Sequence, residues 1–313
     1  MDIVKTYGLS KAYKNILVLN NVNLTIEKGD IYGLIGKNGA GKTTLMRILC
    51  GLTIPTAGSY SLFDVTNEVD LIRERSKLGA IIETPSLYLN FSARKNLQTV
   101  AILKGIDKNS PKIDEMLAFS GLTETLNKKV KNFSLGMKQR LSIAMALLSD
   151  PEFLILDEPV NGLDPVGIVE MREILKRINR EKGTTILISS HILTELSQLA
   201  TKFGIIDRGC LIEEIPADKL EEKLSRTLNI SFTYSADTER AAAILKEKFG
   251  INDLSIQGDT IVIRDNEAVN NGANINMELS KENIFIKGVN ITAIDLEQYF
   301  INKTRGGSLW TEF

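Results

Sequence analysis

Cysteine and histidine are almost missing from this 313-residue chain, which holds Cys50, Cys210 and a single histidine, His191. Two distant cysteines form no Cys-x-x-Cys pair and no Cys/His cluster. That excludes a zinc module and a disulfide framework, and it fits a reducing compartment. Long apolar runs are also lacking. The longest, such as Ile143 to Leu148, are far short of the roughly 20 residues a helix needs to cross a bilayer, so any membrane role has to go through a partner. Met1-Asp2-Ile3-Val4-Lys5 has no basic stretch leading into an apolar core, and no secretory signal is expected. Nor does one sign of charge dominate: 38 Lys and Arg face 39 Asp and Glu. That balance makes no electrostatic case for a nucleic-acid partner.

What the chain has is ordinary globular composition, with 43% hydrophobic and 25% charged residues. Residues 1–215 alternate short apolar strands with amphipathic helices. Ile31 to Ile35, Phe153 to Leu156 and Thr185 to Ile188 read as buried strands. Asp164-Pro165 starts a helix as N-cap and first-turn proline, with Met171, Ile174, Leu175 and Ile178 on its apolar face. Strand–helix–strand order predicts an α/β fold with a mostly parallel sheet covered on both faces. The first 30 residues alternate in polarity and predict an antiparallel patch at its edge. Residues 216–313 form a separate, small α+β accessory domain. There the spacing predicts a helix over Lys219 to Arg226, a strand through Leu228, Ile230, Phe232 and Tyr234, and a helix over Thr238 to Phe249. A hairpin turning at Gly258-Asp259, an Asn-rich loop over 264–276 and a last helix around Ala293 to Asn302 complete it. It shows no chemistry, and the chain has no internal repeat.

Gly36-Lys37-Asn38-Gly39-Ala40-Gly41-Lys42-Thr43, followed by Thr44, fits G-x-x-x-x-G-K-[ST] between an apolar strand and a helix. Glycines let the backbone wrap and aim its N–H groups at phosphates, and the positive end of the next helix adds to that. Lys42 supplies a point charge to the β/γ oxygens, and the Thr43 hydroxyl suits Mg²⁺. Phe153-Leu154-Ile155-Leu156-Asp157-Glu158 is an apolar strand ending in two acids. At the C-terminal end of such a strand Asp157 can hold Mg²⁺ through water, and Glu158 can act as general base on the attacking water. Two adjacent acids alone would equally suit a solvated turn; beside a phosphate loop they read as catalytic.

Four further segments carry a resemblance to the ABC ATPases over residues 1 to about 215. Phe133-Ser134-Leu135-Gly136-Met137 resembles the signature Leu-Ser-Gly-Gly-Gln at Ser134 and Gly136. Asn161-Gly162-Leu163-Asp164 resembles the D-loop. Ser189-Ser190-His191 resembles the switch-histidine segment, and Tyr13 stands where the family stacks an aromatic ring on adenine. The resemblance implies an ABC-type P-loop fold with a helical signature subdomain, MgATP as ligand, and γ-phosphate contact by His191. It also implies a head-to-tail homodimer or pseudo-dimer in which Ser134 of one copy completes the Lys42 site of the other. A membrane-spanning permease subunit and a place on the cytoplasmic face of the membrane follow from it as well.

Two departures stand out. Glu83 follows Leu78-Gly79-Ala80-Ile81-Ile82, where the family has a glutamine near Mg²⁺ and the attacking water. With Thr84-Pro85-Ser86-Leu87-Tyr88 behind it, the acid resembles the ATPases of bacitracin-type and lantibiotic self-protection exporters. It is expected to bind the metal and to repel the γ-phosphate. Leu135 and Met137 replace Gly and Gln in the signature. Two alternatives to an exporter subunit remain at this stage: a soluble ABC ATPase and a nucleotide-dependent regulator. A P-loop GTPase would need Asn-Lys-x-Asp, which the sequence lacks.

Overall fold

The computed structural model describes every residue except 84–85, 126–127, 225, 264–267, 269–270, 294–295 and 306–313. The chain divides into two compact units, Met1–Ala217 and Asp218–Phe313.

The first unit is built on a sheet whose inner strands are too apolar to face water. β4 (Ile31–Ile35), β7 (Phe153–Asp157) and β8 (Thr185–Ser190) are buried at every position. Among the described residues they lie in a sheet ordered β10-β9-β4-β8-β7-β6, with β6 (Leu78–Ile81), β9 (Lys202–Asp207) and β10 (Cys210–Pro216). The pairings β6–β7, β7–β8, β8–β4 and β4–β9 are parallel, and β10 runs antiparallel on the edge. A strand buried on both faces reads as a continuous apolar run, which is why these segments were legible.

A second, antiparallel sheet comes from β1 (Asp2–Tyr13), β2 (Ile16–Val22), β3 (Thr25–Glu27) and β5 (Ala57–Leu62). Helix α1 (Lys42–Leu49) shares one core cluster with both sheets: Leu45, Met46, Ile48 and Leu49 join Ile3, Leu9 and Ile26 on one side and Leu34, Phe153 and Leu187 on the other. The helix that follows the glycine-rich loop is thereby clamped in the core. α2 (Glu68–Glu74) follows β5 and is capped by Asn67. Next come α3 (Ala93–Leu103), α4 (Lys112–Phe119) and α5 (Leu135–Leu147), which pack on one another as a helical subdomain. α6 (Pro165–Lys182) buries Met171, Ile174, Leu175 and Ile178, the face its spacing predicts, and ends at Gly183 in the left-handed region. The short α7 (Leu193–Ser197) follows β8. Both cysteines are free; burial pushes the Cys50 thiol up to about 12, which leaves it protonated and inert at neutral pH.

From α8 (Ala217–Lys223) the chain passes to the second unit. Its order is β11 (Arg226–Phe232), α9 (Asp237–Phe249), β12 (Leu254–Gln257), β13 (Thr260–Ile263), α10 (Gly272–Lys281), β14 (Ile286–Ala293) and α11 (Leu296–Arg305). The sheet is antiparallel throughout, ordered β12-β13-β11-β14. This βαββαβ succession is the ferredoxin-like arrangement. Several expectations are corrected here. Lys219 to Arg226 is not one helix, because Arg226 already opens β11. Tyr234 lies past the end of that strand and is exposed. The loop expected over 264–276 instead contains the start of α10, and part of it falls outside the described residues. Asn and Gly discourage a helix, but Ile275 and Leu279, one turn apart, are fully buried with Leu228, Ile230 and Phe232, and tertiary burial overrides propensity. Ala293 ends β14 rather than starting the last helix.

Replacing Phe153, which is fully buried in β7 within the shared cluster, by alanine should lower the stability of the first unit by about 3–5 kcal/mol, read by denaturant unfolding.

Candidate functional site

Parallel pairing brings three distant segments to one sheet edge. β8 lies between β4 and β7, with Ile35 opposite Ser190 and Ser189 opposite Asp157. The loop leaving β4, the acids ending β7 and the histidine following β8 therefore emerge side by side, where open α/β sheets bind ligands.

The loop is Gly36 to Gly41, and α1 begins at Lys42 with Gly41 as N-cap. Gly41 adopts φ +109°, and a Cβ there would come within 2.7 Å of Leu19 Cδ2 and 2.9 Å of Val18 O. Gly36 is barred for a different reason, since its Cβ would meet Ile206 O at 2.6 Å. No side chain caps α1 and no acid stands in its first turn, so the N–H groups at its mouth stay available to an anion. Lys42 is 5% exposed. Its Nζ donates to Gly36 O at 2.6 Å and Lys37 O at 3.2 Å, and lies 3.4 Å from Glu158 Oε1.

Asp157 is held at both carboxylate oxygens: Thr43 Oγ1 donates to Oδ2 at 2.7 Å, and Ser189 Oγ to Oδ1 at 2.6 Å. Glu158 follows with φ +47°, a left-handed conformation rare for a non-glycine residue. His191 Nδ1 lies 2.9 Å from Glu158 Oε2, and Asn161 Nδ2 donates to the same oxygen at 3.3 Å. An ionised carboxylate can only accept, so Nδ1 carries the hydrogen and Nε2 is left for another contact. Lys42, Thr43, Thr44, Gly39, Asn38, Gly41 and Glu158 line one cleft, to which β2 adds Val18.

Other residues named from the sequence sit elsewhere. Ser134 caps α5 by accepting from Met137 N at 3.2 Å, and Asp164 caps α6 by accepting from Gly167 N at 2.9 Å. Both line a second cleft together with Gly136 and Gly162; within one chain neither belongs to the Lys42 cleft. Tyr13 ends β1 and is 42% exposed, with Lys11 Nζ 4.9 Å from its ring centroid. Glu83, expected near the metal, has φ +64° and turns its exposed carboxylate to Arg47, one turn beyond Thr43 on α1. A guanidinium fork is a ready partner for a carboxylate that is not otherwise engaged. Arg47 and Ser189 are the participants that motif reading missed. The available signal for the second was a pair of serines, Ser189-Ser190, following the apolar run Ile186 to Ile188 in a wholly buried strand.

Residues 19–161 match the family described as ABC transporter. A bacitracin transport ATP-binding protein, BcrA of Enterococcus faecalis, is 39% identical over 309 residues, covering 98% of each chain. The lantibiotic transport ATP-binding protein SrtF of Streptococcus pyogenes is 47% identical over 219 residues, 70% of this chain and 93% of its own. Among solved structures, the dimeric ATP-binding cassette MJ0796 in a post-hydrolysis state with ADP and Pi superposes with a TM-score of 0.62. It is 26% identical and covers 68% of this chain and 98% of that one. The glycine-rich loop, the paired acids and His191 thus meet in a fold shared with a nucleotide-hydrolysing cassette, and the chain belongs to the ATP-binding proteins of ABC transporters, as an ABC-type ATPase that binds ATP.

Proposed function

We propose that this chain is the ATP-hydrolysing subunit of an exporter whose membrane-spanning part is a separate polypeptide, with a peptide antibiotic of the bacitracin kind as cargo. The observation that carries the reading is the meeting of Lys42, Thr43, Asp157, Glu158 and His191 at one edge of the sheet, through Thr43–Asp157, Lys42–Glu158 and His191–Glu158 contacts. No helix among the described residues is long and apolar enough to cross a membrane. The transport ATP-binding relatives support a permease partner and a place on the cytoplasmic face of the membrane. Such a partner has a docking groove available between β6 and the helical subdomain, lined by Ile81, Leu87, Val100, Lys104 and Met145, beside the segment from Glu83 to Asn96. The bacitracin relative matches across both units of this chain, whereas the lantibiotic one runs out after about the length of the first. That coverage favours the bacitracin kind.

The residues fit Mg²⁺: the Thr43 hydroxyl and Asp157 carboxylate are hard oxygen donors already in contact. When bound, the ion neutralises charge on the phosphates. The loop amides and Lys42 grip the β- and γ-phosphates by electrostatics alone. An anion that takes over the ammonium leaves Glu158 to His191 and to water, and Glu158 Oε1 accepts the proton of the attacking water. Nδ1–H of His191 fixes the other carboxylate oxygen, and Nε2 is left for the γ-phosphate side, where it donates only when it too carries a hydrogen. Tyr13 supplies a ring for adenine. Because Ser134, Gly136 and Asp164 line a different cleft, a second copy arranged head to tail brings them to the ATP, with the N-terminus of α5 facing the γ-phosphate. ATP-driven closure of that dimer, and reopening after hydrolysis, is passed to the permease through the segment that begins at Glu83.

Lys42→Ala should abolish MgATP binding in calorimetry. Glu158→Gln should bind ATP as tightly as the native chain, hydrolyse it at least about 10²-fold more slowly, and elute as a closed dimer in size exclusion; near-native turnover would show that another group is the base. In cells carrying the chain with its permease, Glu83→Gln should reduce bacitracin tolerance, with the ATP affinity of the isolated protein unchanged. Native tolerance would remove any special role for the acid.

A further inference from the structure

β8 offers one more participant. Ile186, Leu187 and Ile188 are apolar and buried, as an inner parallel strand requires, yet the next position is Ser189, with no exposed surface at all. A hydroxyl there has to be hydrogen-bonded or it destabilises the fold, and this one uses both of its capacities. The Glu158 backbone N–H can only donate, and it does so to Ser189 Oγ at 2.9 Å. The Asp157 carboxylate, when ionised, can only accept, so the single Ser189 proton is directed to Oδ1 at 2.6 Å. With Thr43 on the other oxygen of Asp157, an unbroken row runs from Thr43 through Asp157 and Ser189 to the backbone of Glu158. Filling of the strand does not explain this. Valine or isoleucine would fill it, and satisfying the Glu158 N–H alone would not call for a second bond to Asp157.

We propose that Ser189 is a positioning residue that ties the two acids together: one hydroxyl sets both the carboxylate of Asp157 and the left-handed backbone turn that aims Glu158. The inference rests on the reading of Asp157 as the metal-side acid and Glu158 as the base. Glu158 at φ +47° occupies a conformation that a side chain disfavours, and the bond from its N–H is an anchor at that residue. His191 then acts on the carboxylate end of the same side chain, so the end of β8 holds the glutamate at two points. Loss of the Ser189 hydroxyl loosens metal-side and base-side positioning at once, a joint defect that neither acid's removal alone produces.

The test uses the full chain with Ser189→Ala, Ser189→Cys and Ser189→Thr. Two quantities are read: steady-state phosphate release, resolved into kcat and the KM for ATP, and the Mg²⁺ dependence of ATP-induced thermal stabilisation in the Glu158→Gln background, which needs no turnover. Ser189→Ala should lower kcat on the order of tenfold with KM within about threefold, and should raise the Mg²⁺ needed for half-maximal stabilisation several-fold. Ser189→Thr should restore both, and Ser189→Cys, which conserves volume with a poor hydrogen-bonding sulfur, should follow alanine. Native kcat and Mg²⁺ dependence in Ser189→Ala, or in Ser189→Cys where alanine does not fold, would overturn the proposal. So would a threonine variant as impaired as alanine with native thermal stability, since shape rather than the hydroxyl would then be responsible. Absence of turnover in the native chain, or full turnover in Glu158→Gln, would instead sink the assignment of the acids themselves.

Discussion

A positive charge carried into the protein is the constraint around which the site is arranged. Lys42 is buried at the mouth of α1, where losing water is costly for an ammonium. Two carbonyls of its own loop and the Glu158 carboxylate offset that loss. The helix end beneath it adds unpaired N–H groups and presents no acid of its own. The result is a cleft in which the ammonium's carboxylate partner is Glu158, the residue proposed to prepare water. In the proposed mechanism phosphate binding and activation of the base draw on the same ammonium, which is a physical reason for the two motifs to share one cleft.

Rigidity around that charge comes from packing. α1 is gripped between two sheets by Leu45, Met46, Ile48 and Leu49, and a core at near-crystalline density leaves such a helix little freedom. Against this frame, two neighbouring parallel strands, β6 and β7, are each followed closely by a glutamate with positive φ, Glu83 at +64° and Glu158 at +47°. Unfavourable backbone conformations persist where surroundings over-determine them, and they gather at functional positions. Glu158 is held by Ser189 and His191. Glu83, more exposed, is held by Arg47. The first belongs to the cleft proposed for hydrolysis and the second to the segment through which motion is proposed to leave it.

The second unit is a ferredoxin-like βαββαβ layer with its own core of Leu228, Ile230, Phe232, Leu245, Ile261 and Leu279. Fold does not by itself imply function. What distinguishes this unit is its distribution, since the alignment with the bacitracin relative extends through it and the alignment with the lantibiotic relative does not have the length to do so.

The linear sequence by itself determined the local chemistry and the local shapes. The glycines, lysine and threonine of residues 36–43 form a phosphate loop wherever such a loop lies between strand and helix. Asp164-Pro165 starts a helix by its own capping, and four apolar residues at helical spacing name the face α6 buries. These depend on near neighbours in the chain, so a reader of the chain can find them. Which distant residues meet was decided by tertiary structure. The β4-β8-β7 order sets Ser189 opposite Asp157, and packing against the second unit's sheet makes a helix of the Asn- and Gly-containing segment around Ile275. α1 and the turn after β6 bring Arg47 to Glu83. The single-chain placement of Ser134 and Asp164 in a cleft apart from Lys42 belongs to the same class. Hydrogen bonds and burial act through space at a few ångströms, while sequence patterns report spacing along the chain. An interaction whose partners are far apart in sequence leaves at most a faint local trace, such as the buried serines that end β8.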